Sequence, residues 1–234
     1  MIFLGNQAVG INPPGNQVLE AELIEGTISG AYVNSFVTKV EISSLRRKNF
    51  TSLEFPNCTS IYDSSIRDNP NLESVKLPKC SMVGANYALG DNPKLSVIAL
   101  PAITSSLRMA FYRDTLLTTA DIGPGISGNG LDHQAFVDTS LNLLILRKSD
   151  EPVKLNNVNA FQSTPFASGG VGGTIYIPQA LYNHLGDGTS LDYKAATNWS
   201  TVDGYGTITW AKIEGSQYED YYADGTPVEV TANG

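Results

Sequence analysis

Positive charge is scarce in this sequence: 15 Lys and Arg stand against 23 Asp and Glu in 234 residues, a formal net charge of -8. Phosphate binding needs a concentrated Lys/Arg surface, so the balance excludes nucleic acid as a partner. The single basic cluster, Arg46-Arg47-Lys48, is short and sits beside a turn, as a solvated loop would. No apolar run approaches the roughly 20 residues needed to cross a bilayer, which excludes membrane insertion by a helix. The opening MIFLGNQAVG has no basic stretch and only a short apolar one, so no secretory signal is expected.

Catalytic chemistry is equally hard to find. There are two histidines, His133 and His184, and neither is accompanied by a nucleophile elbow. Gly169-Gly170-Val171-Gly172-Gly173 lacks the Lys-Ser/Thr ending of a phosphate loop, and a strand follows it where a helix would be needed. Pro124-Gly125-Ile126-Ser127-Gly128-Asn129-Gly130 reads as a second loop in which glycine supplies positive φ. The expectation is therefore a non-enzyme with no catalytic residues, no cofactor and no metal.

What the sequence does contain is a recurring phrase. Leu53-Glu54-Phe55-Pro56 is followed by Val75-Lys76-Leu77-Pro78 and Ile98-Ala99-Leu100-Pro101, with prolines 22 and 23 residues apart. Ala120-Asp121-Ile122-Gly123 and Leu144-Ile145-Leu146-Arg147 continue it. Val40-Glu41-Ile42 fits upstream and Ile175-Tyr176-Ile177-Pro178 downstream. A second marker runs in phase, a small residue before a large apolar one: Ser65-Ile66, Ala88-Leu89, Ala110-Phe111, Ala135-Phe136 and Ala160-Phe161. A third is the corner, Asp68-Asn69-Pro70, Asp91-Asn92-Pro93, Asp114-Thr115 and Asp138-Thr139. Asp and Asn there bond their own backbone, and the residue before proline is driven out of the helical region.

A short strand and a turn-rich return cannot bury their apolar sides alone, so such units stack and share a core. The expected fold is a repeat solenoid, mostly β with short turn or helical returns. It is a leucine-rich-repeat rod with a parallel β ladder and terminal caps. At ~4.8 Å per level, six or seven levels give a rod on the order of 30 Å long. Leu53, Phe55, Val75, Leu77, Ile98, Leu100, Ile122, Leu144 and Leu146 should face inward, and Glu54, Lys76, Ala99, Asp121 and Ile145 outward. Cys58 and Cys80 each lie two residues after the proline, at the same place in adjacent levels. They read as a ladder of small buried side chains ahead of a disulfide.

The organisation expected is residues 1–35 as an N-terminal cap or docking segment, 36–204 as the solenoid with its C-terminal cap, and 205–234 as a strand and acidic tail. On the analogy of extended binding faces in solenoids, Lys76, Tyr176, Trp199 and the pair Tyr221-Tyr222 are candidate contact residues. The outward acids Glu54 and Asp121 lie about three levels apart, roughly 14 Å, too far for a glycosidase pair, which disfavours a carbohydrate-active enzyme.

The small-Phe pair, the corner and the strand ending in proline, from about Val37 to about Trp199, resemble the BspA-like leucine-rich-repeat family. Thr174-Ile175-Tyr176-Ile177-Pro178 and Tyr193-Lys194-Ala195-Ala196-Thr197-Asn198-Trp199-Ser200 look like the strand and short helix that end such arrays, here separated by Gly186-Asp187-Gly188-Thr189. The resemblance implies a surface interaction protein binding a protein or surface glycan, as a homo-oligomer or part of a larger assembly. Related arrays occur in tailed-phage structural proteins. Without a leader, a virion component assembled in the host cytoplasm is the expected setting, with a secreted bacterial cell-surface adhesin as the alternative.

Overall fold

The computed structural model describes residues 2–4, 7–9, 18–19 and 29–213. Among them the chain is mostly β, with few helices, and its strands pair almost entirely in parallel. The exception is a hairpin of β1 (Ile2–Leu4) and β2 (Gln7–Val9). One parallel sheet joins β4 (Ser29–Val33), β6 (Asn49–Glu54) and β8 (Ser74–Lys76). Alongside β8 runs β10 (Val97–Leu100), which opens a five-stranded sheet through β11 (Thr119–Ile122), β12 (Leu143–Leu146), β13 (Gly173–Pro178) and β14 (Ile208–Ile213). A separate parallel ladder joins β3 (Val18–Leu19), β5 (Lys39–Val40), β7 (Ser60–Ile61) and β9 (Met82–Val83). Single bridges Leu107 to Leu131 and Leu131 to Leu155 continue its line.

Register follows the sequence phrase. Leu53 pairs with Val75, Ile98 with Ala120, and Ala120 with Leu144. Residues of one parity enter the core, as alternation along a strand requires: Leu53, Phe55, Val75, Leu77, Ile98, Leu100, Ile122, Leu144 and Leu146 are all buried.

Two expectations are corrected. Val40-Glu41-Ile42 does not belong to the main ladder. Val40 sits in β5 of the separate ladder, Ile42 is exposed, and the strand preceding β6 is β4, whose Tyr32 pairs with Leu53. A short apolar triplet reads alike in either ladder, so spacing alone could not separate them. The second correction concerns the outer face. Ala99, Asp121 and Ile145 have outward parity but are buried, with Asp121 fully so.

The corners repeat with equal regularity. Arg47, Asp68, Asp91, Arg113, Asp138 and Ser163 all have positive φ, between 56° and 60°. Left-handed backbone costs a residue with a β-carbon roughly 1–2 kcal/mol. It persists here because it turns the backbone N–H toward the adjoining level: Asp68 donates to Gly90 O, Asp91 to Tyr112 O and Arg113 to Val137 O. The next residue forms an internal ladder. Lys48 N–H donates to Asn69 Oδ1, Asn69 N–H to Asn92 Oδ1, and Asn92 N–H to Asp114 Oδ1. Inside these corners the large apolar residues stack, with Phe111 on Phe136 at 5.3 Å and Phe136 on Phe161 at 6.0 Å.

The C-terminal end is closed by aromatics. Helix α1 (Gln179–Tyr182) follows β13, and α2 (Trp199–Asp203) precedes β14. Val153 N–H donates to Tyr193 Oη at 2.9 Å, and Val153 O accepts from Trp199 Nε1 at 2.7 Å. Two buried rings thus satisfy the backbone of one buried residue outside any strand in both directions. Cys58 and Cys80 are free and buried, their thiols donating to Ser60 O and Met82 O, each two residues on.

Candidate functional site

The residues singled out as contacts do not converge. Lys76 ends β8 half-buried beside Glu54. Tyr176 is buried on the outer side of β13 against Ile145 and Ile213. Trp199 has no exposed surface and belongs to the core. Tyr221 and Tyr222 lie outside the described residues, as does the acidic stretch around them. Lys76 and Tyr176 stand four strands apart across the sheet order, on the order of 19 Å.

The outer sheet face carries one buried ion pair. Arg147 grips Asp121 in two parallel bonds, Nε to Oδ1 and Nη2 to Oδ2, each 2.8 Å. Arg147 occupies the place where earlier copies of the phrase carry proline. His184 Nδ1 meets Asp187 Oδ2 at 2.6 Å on an exposed loop. The N–H of Thr189 and the His184 ring together hold the Asp187 carboxyl below its ordinary value. No hydroxyl among the described residues bonds this imidazole, so the pair lacks a nucleophile. Among the described residues no group of three His, Cys, Asp or Glu side chains could hold a metal ion. No helix there is long and apolar enough to cross a membrane.

A different set of polar side chains is brought together, and it lies just beyond the second ladder on successive levels. Asn86 Nδ2 donates to Asp63 Oδ2 at 2.7 Å, and Arg108 Nη1 donates to Asn86 Oδ1 at 3.0 Å. Farther along, Asp132 accepts from Asn156 Nδ2 at 2.7 Å, from Asn129 Nδ2 at 3.2 Å and from its neighbour's backbone N–H. Burial opposes ionisation of Asp132, but these three hydrogen bonds and the nearby Arg108 charge outweigh it and keep the carboxyl below its usual value. Asp132 is itself nearly buried, and Asn129 and Asn156 stand exposed on either side. Asn198, in left-handed backbone at φ 64°, then ties the start of α2 to this row by donating to Leu155 O and Asn156 O.

The row opens at its far end into a cleft of about 400 Å³. Asn156, Lys154 and Glu151 line one wall, Ser190, Thr197 and Asn198 the other. A second cleft of about 350 Å³ shares Glu151 and Lys154 and reaches back to Ser127 and Gly130. Gly130 is required there: φ is 61°, and a β-carbon would collide with Lys154 O. No family model matches the chain, and no curated protein or solved structure matches it.

Sequence reading missed this row because its members differ chemically from level to level. Only their common position, one to three residues after the second ladder's apolar residue, could have revealed them.

Proposed function

We propose that the chain is a leucine-rich-repeat solenoid of the BspA-like kind and works as a non-catalytic binding module in the tail region of a phage particle, docking on a protein or glycan of a cell surface. The solenoid reading is supported by parallel register at steps close to the sequence period: Ser52 with Ser74, Val97 with Thr119, Thr119 with Leu143. The observation that carries the binding role is the row Asp63, Asn86, Arg108, Asp132 and Asn156. It is a line of pre-oriented polar groups set on a stiff stack and leading to a cleft. Holding such groups in place before contact lowers the entropy lost on binding.

The test is binding of the fluorescently labelled chain to a panel of intact bacterial cells. Saturable binding to at least one cell type, displaced by unlabelled chain, supports the reading. Its absence across the panel overturns it. Mass photometry of the purified chain addresses the setting: a trimer or larger assembly supports the tail region, and a clean monomer favours the adhesin alternative.

A further inference from the structure

We infer that the row from Asp63 to Asn156, with the cleft at its end, binds an extended neutral polysaccharide, one sugar to each level. This rests on the binding-module reading and names the ligand class for it.

Three features point to a sugar chain. The first is chemical. Row members present two side-chain amides, two carboxylates and a guanidinium, and each keeps donors or acceptors beyond those spent on its neighbours. Asn86 has a second N–H and a second lone pair; Arg108 gives one of its N–H groups to Asn86, and Asn156 gives one N–H to Asp132. Planar groups fixed by their neighbours, each with at least one spare donor or acceptor, suit vicinal hydroxyls, which offer both at short separation.

The second is spacing. Adjacent levels of a parallel ladder are ~4.8 Å apart. That is close to the advance of one sugar along an extended β-1,4-linked chain, whose neighbouring rings are turned by about half a turn, so each level meets one sugar and alternate levels meet the same edge. From Asp63 to Asn156 the row runs through four such steps, on the order of 19 Å.

The third is charge and polarity. Asp63, Asp132 and Glu151 are set against Arg108 and Lys154, which leaves no concentrated field of either sign to select an ionic polymer. A protein partner would instead want an apolar or aromatic anchor. Of the exposed large apolar residues, Val33, Phe36, Leu116, Val171 and Tyr205 are off this row, while Ile42 holds the matching place on the level before Asp63.

The experiment is isothermal titration of the full chain with β-1,4-linked gluco-oligosaccharides and N-acetylglucosamine oligosaccharides from dimer to hexamer. Affinity should tighten with each added sugar until the row is filled and then level off. Asn156→Ala and Arg108→Ala should each weaken the longest ligand about tenfold or more, while Lys94→Ala, on another edge, should leave it unchanged. Asn156 is exposed, so its variant keeps the fold even if Arg108→Ala does not. Failure of both series to bind, absence of length dependence, or wild-type affinity in Asn156→Ala overturns the inference. Cell binding separates this from failure of the broader reading. Binding abolished by protease but insensitive to periodate leaves the module standing and the glycan assignment overturned.

Discussion

Asn92 donates its backbone N–H to Asp114 Oδ1 at 2.7 Å, and the other oxygen of that fully buried carboxylate meets no donor. The same position on other levels is filled by groups with a proton to give. Asn92 donates to Leu89 O, Thr139 to Phe136 O and Thr164 to Phe161 O, each three residues back. An ionised Asp114 cannot make that bond; a neutral one can. Burial accordingly pushes the Asp114 carboxyl well above its ordinary value, against the N–H of Asn92, with the Asp91 charge adding to the rise.

Asp114→Asn should therefore stabilise the chain at neutral pH. The unfolded carboxyl titrates at ~3.9. Below that pH both states are protonated and there is no penalty. As pH climbs from there toward the raised folded pKa, the unfolded chain releases its proton while the folded one holds it, and stability falls. The amide carries its donor at every pH and has no such dependence, so it removes this penalty, a gain of about 1–3 kcal/mol. Chemical denaturation of both proteins at pH 4 and pH 7 checks this. A gain equal at both pH values would refute the titration argument.

Phe136 lies between Phe111 and Phe161 in a continuous stack. Phe136→Ala should cost about 3–5 kcal/mol, since rigid neighbours on two levels cannot collapse into the void. A loss below 1 kcal/mol in thermal or denaturant unfolding would mean that the levels repack independently.

Arg147→Met should be costly in a different way, because it removes the two parallel guanidinium bonds from the buried Asp121 carboxylate. Breaking such a pair from one side costs about 3–5 kcal/mol. The paired change Asp121→Leu with Arg147→Met should recover most of the loss, which a double-mutant cycle measures.

Both thiols should resist modification. Burial raises the Cys58 thiol to about 11 and the Cys80 thiol to about 12, the second helped by its proximity to Cys58. The thiolate is the reactive form. Ellman's reagent at pH 8 should thus report no thiol in the native chain and both in guanidinium chloride. Rapid native labelling would place a cysteine at the surface.

Gly123 stands where earlier levels carry Pro56, Pro78 and Pro101. A β-carbon there would run into Pro101 O and the carbonyl carbon behind it. Gly123→Ala should lower stability by about 1–3 kcal/mol or more through backbone displacement, with a matching drop in Tm.

Much of this was legible because each level solves one packing problem with one set of residue types. Prolines after Phe55, Leu77 and Leu100 mark the strand ends. The fully buried alanines before Phe111, Phe136 and Phe161, like Ser65 before Ile66, mark the small position beside each stacked apolar residue. Corners announced themselves through Asp68-Asn69 and Asp91-Asn92, yet Arg113 takes the same left-handed backbone with no sequence sign of it. There the bond from Arg113 N–H to Val137 O, not residue preference, holds the conformation. The polar row was invisible for a related reason. Asp63, Asn86, Arg108, Asp132 and Asn156 share no type, and only stacking makes them neighbours.

By itself the sequence determined the period, the parity of the strands and the residues that fill the interior, because these depend on apolar pattern and turn chemistry local to each unit. Tertiary structure alone decided which of two ladders Val40 joins, that Asp121 and Arg147 are buried together, and which polar groups meet across levels. Those outcomes depend on contacts between residues 20 or more apart, whose energies are set by register and by what covers a face, and neither is written in any single repeat.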